Sequence, residues 1–161
     1  MNIEQKVNAI MRYIAAESQE EKKTATEEIK AMIEHTANVN QTGNIEDVIS
    51  EIFLELGVPD HILGYRYSAF AIRIAIENPD IINAITCELY PAVAKKFNTT
   101  SSRAERAIRN AIEVSCDRIS NDAMAKYFGN TISTRTGKPT NSEFIARIAN
   151  IVRRRIRNGE E

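Results

Sequence analysis

The run YPAVAKKFNTTSSRAERAIRN, residues 90–110, places Arg103, Glu105, Arg106, Arg109 and Asn110 within eight positions. Each of these side chains can recognise a base edge. Arginine donates two parallel hydrogen bonds to O6 and N7 of guanine, asparagine pairs with adenine, and glutamate accepts from N4 of cytosine. That chemistry reads DNA only if the side chains share one exposed helical face. On a helical wheel, Ala104, Ile108, Ala111 and Ser115 fall within one arc of about 60°. That arc is apolar or small and suits a core. The opposite arc collects Ser102, Arg103, Glu105, Arg106, Arg109, Asn110 and Glu113. The same division fits an ordinary amphipathic helix whose charged face meets water, and Glu105–Arg109 is also a helix-stabilising i, i+4 pair. Both readings stand on spacing alone.

The segment before this helix fits the first reading without deciding between the two. Pro91 opens a short helix over 91–97 whose apolar positions are Val93, Ala94 and Phe97. Asn98 stands where the chain must turn sharply, and asparagine tolerates a left-handed backbone better than any residue but glycine. Ser101 or Ser102 opens the long helix, which runs to about 118, and Ser102 with Glu105 has capping-box spacing. Small Ala94 and Ala104 let the two helices cross closely. These are the requirements of a helix-turn-helix. A second basic element, Arg135 to Lys138, precedes a helix over about 141–157 that Thr140, Asn141 or Ser142 can cap. A basic loop beside a helix N-terminus can hold phosphate, though a plain surface loop has the same composition. The tail VRRRIR, 152–157, could touch phosphate too, though such a terminal run is more often a solvated helix end that suits the helix dipole.

Helical periodicity also governs the rest of the chain. Ile3, Val7, Ile10 and Ile14 mark one helix, and Ile29, Met32 and Ile33 mark a second over about 24–36, with SQEEKK interrupting between them. NVNQTGN, 38–44, reads as a linker. Ile45, Val48, Ile49, Ile52, Phe53 and Leu56 form the next stripe, which Asn44 can cap and Gly57 ends. Helices over about 61–77, 80–89 and 120–128 follow, the last ending at Gly129. The expected fold is all-α, a multi-helix bundle containing a helix-turn-helix, preceded by an N-terminal helical hairpin. The expected organisation is a hairpin at 1–40 and a DNA-binding domain at 45–158.

The 161 residues are 43% hydrophobic and 27% charged, as expected of a folded globular chain. Charge is uneven along them: residues 1–60 hold 5 basic and 12 acidic side chains, residues 61–161 hold 16 and 10. The expectation is an acidic appendage and a basic half that meets a polyanion. Apolar runs are too short for a transmembrane helix, and the first residues lack the pattern of a signal peptide. Two cysteines, Cys87 and Cys116, are too few for a disulfide framework, so the chain reads as cytoplasmic. His35 and His61 have no metal-ligand spacing with them, and no phosphate-binding glycine loop or nucleophile motif occurs. No enzyme, metal or cofactor is expected.

LYPAVAKKFNTTSSRAERAIRNAIEV, with KPTNSEFIA downstream and LGVPDHILGY upstream, closely resembles the DNA-binding effector domain of the sporulation stage-zero master response regulator family. The resemblance covers about 45–155. It implies an all-helical bundle that reads a promoter box with a TCGA-like core through the helix 102–118, commonly as tandem dimers. By motif it assigns base contacts to Glu105, Arg106 and Arg109, a further contact to Arg103, and a phosphate contact to Lys138. Two positions depart from the family pattern: Ser115-Cys116 replaces a small residue followed by Trp, and Asn110 replaces a more usual His. The roughly 40 residues upstream are too few for a receiver domain, so the reading is a receiver-less regulator. Its expected partners are double-stranded DNA, a second copy of the chain on tandem sites, and RNA polymerase, with no membrane. The rival reading is an interaction module that dimerises with, or titrates, a full-length regulator without binding DNA itself.

Overall fold

The computed structural model describes residues 3–16, 19–129 and 137–158, and every regular element among them is helical. The fold is the all-α bundle expected. Two compact units are present, 1–43 and 44–161, and the boundary between them falls inside a helix.

The first unit holds α1 (Ile3–Ala15) and the leading part of α2 (Gln19–Glu55). Ala25 of α2 is buried, and Arg12 of α1 pairs with Glu28 of α2 at 3.4 Å. The α1 stripe is not covered: Val7, Ile10 and Ile14 are 51%, 49% and 71% exposed. The side chains of Ile3, Met32 and Ile33 lie outside the described residues. Two expectations are corrected here. Gln19 to Lys23, read as an interruption, open α2, and the polar stretch 38–44, read as a linker, is helical backbone within it. The stretch contains no proline, and one glycine costs a helix only about 1 kcal/mol.

The charge asymmetry also changes meaning once charges are grouped by unit. Residues 1–43 carry 5 basic and 7 acidic side chains, and residues 44–161 carry 16 and 15. The acidic excess therefore comes from residues 46–60, which belong to the second unit. There Glu46 pairs with Arg73 at 3.4 Å, Glu55 with Lys126 at 2.7 Å, and Glu51 with Arg155 at 3.7 Å. The expected acidic appendage is close to neutral.

The second unit begins with the last turns of α2, whose Val48, Ile49, Ile52, Phe53 and Leu56 are all buried. Gly57, at φ 64°, closes that helix: its N–H bonds the Leu54 carbonyl and the Val58 N–H reaches back to Phe53, the paired bonds of a glycine-terminated helix. Next comes α3 (Leu63–Glu77), then a 3₁₀ stretch over Pro79–Ala84 and a π-helical turn over Ile85–Leu89. In place of the single helix expected over 80–89, Pro79 opens a narrower 3₁₀ stretch that passes into a wider π-helical turn. Then come α4 (Tyr90–Lys96), α5 (Ser101–Arg118), α6 (Asn121–Phe128) and α7 (Asn141–Asn158). Ser120 caps α6 by accepting from the Ala123 N–H, and Gly129 ends it at φ 54°.

One contact sets the spacing of the bundle. A Cβ on Gly64, in the first turn of α3, would stand 2.1 Å from the Ala107 carbonyl oxygen and 2.7 Å from the Ala111 Cβ. Only glycine lets α3 lie against α5 backbone to backbone. The rest of the core fills around this crossing, with Ile72, Leu89, Val93, Ile108, Ile112, Phe144, Ile145 and Ile148 all buried.

A polar knot joins α2, α6 and α7. The Tyr127 hydroxyl donates to Glu55 at 2.6 Å, beside the Lys126 ammonium, and Arg155 stands 4.0 Å from the same carboxylate. The bonds from Lys126 and Tyr127 hold the Glu55 carboxyl below its ordinary range. Burial, then the bond to Glu55, pushes Tyr127 up to about 12.

Two outcomes follow from this packing. Gly64→Ala should destabilise the fold by about 1–3 kcal/mol or more, because the added carbon overlaps backbone that cannot rotate away; chemical denaturation reads the loss. In alkali, the unfolded chain releases the Tyr127 proton near pH 10 while the folded chain keeps it to about 12. The unfolded state then binds fewer protons, so stability should fall across that interval. Tyr127→Phe should flatten the fall, measured as denaturation midpoints from pH 9 to 12.

Candidate nucleic-acid interface

The pair α4–α5 is the helix-turn-helix. Two bonds end α4: the Phe97 N–H donates to Val93 and the Thr99 N–H to Ala94. Asn98 between them takes φ 50°, the only non-glycine residue among those described with positive φ. The left-handed turn expected at Asn98 is therefore present. The helix α5 starts at Ser101, one of the two starts expected. Thr100 is the cap, its hydroxyl accepting from the Arg103 N–H at 3.2 Å. Ser102 and Glu105 both lie inside the helix and form no capping box. That device begins α7 instead, where Thr140 Oγ1 accepts from the Glu143 N–H and the Glu143 carboxylate accepts from the Thr140 N–H at 2.8 Å.

The two arcs drawn on the wheel are the buried and open faces of α5. Ala104, Ile108, Ala111 and Ser115 are buried, while Arg103, Glu105, Arg106 and Asn110 are exposed. Among the described residues, the side chains of Arg103, Glu105, Arg106 and Asn110 have no hydrogen bond or ion pair. They occupy the first three turns of the helix, the part that reaches base edges in a helix-turn-helix.

Arg109 and Lys138 are placed differently. The Arg109 side chain is 33% exposed; it pairs with Glu113 at 3.4 Å and donates to the Pro139 carbonyl at 2.7 Å. Lys138 reaches Asp117 at 2.6 Å, and that bond holds its ammonium above the ordinary lysine range. The segment 137–140 is thus fastened to α5 at two adjacent points, which brings Lys138 alongside that helix. Arg135, the other basic residue expected there, lies outside the described residues. The tail Arg155 does not end in solvent but pairs back to Glu51 and Glu55.

Buried polar groups fix the orientation of the pair. Asn141, at the first turn of α7, donates to the Tyr90 hydroxyl at 3.0 Å and to the Glu105 carbonyl at 3.2 Å. One amide therefore joins α4, α5 and α7. Burial, opposed by the Asn141 bond and reinforced by the Glu105 charge, raises the Tyr90 hydroxyl above its usual range, so it stays a donor and acceptor at neutral pH. On the other side of α5, the Ser115 hydroxyl donates to the Leu56 carbonyl at 2.6 Å. The departure at Ser115 thus supplies a partner for the open end of α2. Its neighbour Cys116 is half-buried, and burial raises its thiol above the ordinary range.

Sequence reasoning missed Tyr90, Asp117 and Pro139 as members of this site, and saw Asn141 only as a cap. The T-x-x-E of TNSE was a signal for the start of α7, but nothing local announces the reach of Asn141 to Tyr90. It also missed a cationic cleft beside the turn, of about 430 Å³, where Arg66 lies 5.4 Å over the Phe97 ring and Lys96 5.8 Å over the Phe70 ring.

Residues 49–152 match the family described as sporulation initiation factor Spo0A C terminal. The match spans more than half of the chain, and the chain belongs to that family. The family is the DNA-binding part of a sporulation response regulator and is not an enzyme family, so the chain is a DNA-binding transcription regulator at family level. Among the described residues, no helix is long and apolar enough to cross a membrane.

Proposed function

We propose that this chain regulates transcription in the cytoplasm by reading a short promoter box in double-stranded DNA through the first three turns of α5. The observation that carries the reading is the open stripe of Arg103, Glu105, Arg106 and Asn110 on a helix whose opposite face is locked into the core. Arg106 and Asn110 face the groove floor, with Glu105 able to accept from cytosine and Arg109 at the edge of the stripe. Arg109 contacts a base by exchanging its hold on Glu113 for the DNA. Lys138, carried alongside α5 by the segment before α7, contacts phosphate and adds affinity without choosing sequence. The chain acts as pairs on tandem sites and contacts RNA polymerase once bound.

A second reading, that the chain also serves as an interaction module, is supported by the uncovered stripe of α1. A two-helix hairpin buries too little to be stable alone. The near-neutral charge of residues 1–43 lets two copies approach without strong repulsion. A second copy is therefore the favoured cover for Val7, Ile10 and Ile14.

Two sets of variants test these readings. Arg106→Ala and Arg109→Ala should each weaken binding to the family box by about 1–3 kcal/mol, with a much smaller loss on scrambled DNA. Lys138→Ala should weaken both duplexes alike and reduce the slope of log affinity against log salt by about one unit. Equal losses on both duplexes from the arginine variants would leave them as phosphate contacts only. Separately, Ile10→Lys with Ile14→Lys should turn a sedimenting dimer into a monomer and make binding to tandem boxes less cooperative. A wild-type chain that sediments as a monomer at all concentrations would end the dimer reading.

A further inference from the structure

The balance of charge along the exposed side of α5 shifts. Its first half carries Arg103, Arg106 and Arg109 with one acid, Glu105, and the stripe continues with Glu113 and Asp117. The two acids stand one and two turns beyond Asn110, on the same side of the helix as Arg106. They are engaged: Glu113 with Arg109 at 3.4 Å, Asp117 with Lys138 at 2.6 Å. Carboxylate oxygens therefore occupy the cations that DNA phosphate and base edges would take. The two ties differ in strength. Arg109 has a further anchor in the Pro139 carbonyl, which DNA does not need to break in full. Lys138 has the shorter ion pair, and both of its ends are open to solvent, with side-chain exposures of 36% and 67%.

We propose that Asp117 is an affinity-limiting residue: it holds Lys138 in the free protein, and a DNA phosphate must displace it. This rests on the reading of Lys138 as a phosphate contact. The exchange replaces one charge-assisted hydrogen bond by another, so the gain from the phosphate is reduced by what the Asp117 bond was worth. Because phosphate contacts carry no sequence information, the reduction falls equally on specific and non-specific DNA. It leaves the discrimination made by Arg106 unchanged. Asp117 therefore lowers residence on random DNA, and the chain can leave wrong sites quickly. A second effect follows from position. The carboxylate left bare after the exchange lies near the DNA backbone and repels it, most strongly at low ionic strength where screening is weakest.

The test is a double-mutant cycle on the full chain, with Asp117→Asn, Lys138→Ala and both together. Binding is measured to a duplex carrying a TCGA-like box and to its scrambled counterpart, at low and at physiological salt. Both positions are at the surface, and circular dichroism checks that the helices are kept. Asp117→Asn should tighten binding to both duplexes by about two- to fivefold, the range set by an exposed ion pair, with the ratio between them unchanged. In the Lys138→Ala background most of that gain should vanish, since there is no lysine left to release. An unchanged affinity in Asp117→Asn overturns the proposal. So does a gain that persists in full without Lys138, which would make Asp117 only a repelling charge. If Lys138→Ala alone leaves affinity and salt slope untouched, Lys138 is not at the interface and the proposal falls while DNA binding stands. Wild-type protein that binds neither duplex overturns the DNA reading itself, and this inference with it.

Discussion

Gly64 is the constraint on which the rest of the second unit depends. A helix pair usually keeps its backbones apart by the width of its side chains, about 8–10 Å between axes. Here a missing Cβ allows α3 to rest on the carbonyl of Ala107 and the methyl of Ala111. The crossing fixes where α5 lies in the bundle. With that helix seated, Ala104, Ile108 and Ile112 point into the core and the arginine stripe points out. Orientation of the exposed stripe is thus decided on the opposite, buried face of the helix.

Around this contact, buried polar groups decide details that apolar packing leaves open. Leucine-like side chains tolerate small rotations of a helix; a hydrogen-bonded amide does not, because a buried donor without a partner costs about 1–3 kcal/mol. Asn141 sets α7 against α4 and α5 together, and Ser115 sets α5 against the end of α2. The capping box at Thr140–Glu143 starts α7 at a defined residue. Lys138 and Pro139 are therefore held two residues and one residue before the cap, where they meet Asp117 and Arg109.

Much of this was legible in the sequence, because helical phase is a local property. The buried arc of α5, the stripe of α2 from Val48 to Leu56 and the left-handed turn at Asn98 follow from residue types a few positions apart. Polar helix was harder to see: 38–44 has no apolar period and a glycine, yet it continues α2. Caps were ambiguous because Thr100, Ser101 and Ser102 all carry hydroxyls, and only backbone geometry selects the first. The engagement of Lys138 by Asp117, 21 residues away, and of Arg109 by Pro139, 30 residues away, leaves no local trace. Grouping charges by sequence halves also misled, since Glu46, Glu51 and Glu55 precede the basic half in order but neutralise it within one unit.

The place of α7 in the chain has a consequence for how the protein is made. Phe144, Ile145, Ile148, Ala149 and Val152 are all buried, so this helix completes the core that α2, α3 and α5 begin. The helix proposed to read DNA, α5, itself ends at Arg118. During synthesis, every residue proposed to touch DNA except Lys138 is therefore present well before the scaffold that aims it. At about 5–20 residues per second the delay is a few seconds. Over that time the nascent chain presents an amphipathic α5 with an uncovered apolar side and no fixed direction for its arginines. The direction of the arginine stripe is thus set only once α7 is free to pack, after residue 152 has been made and has left the ribosome.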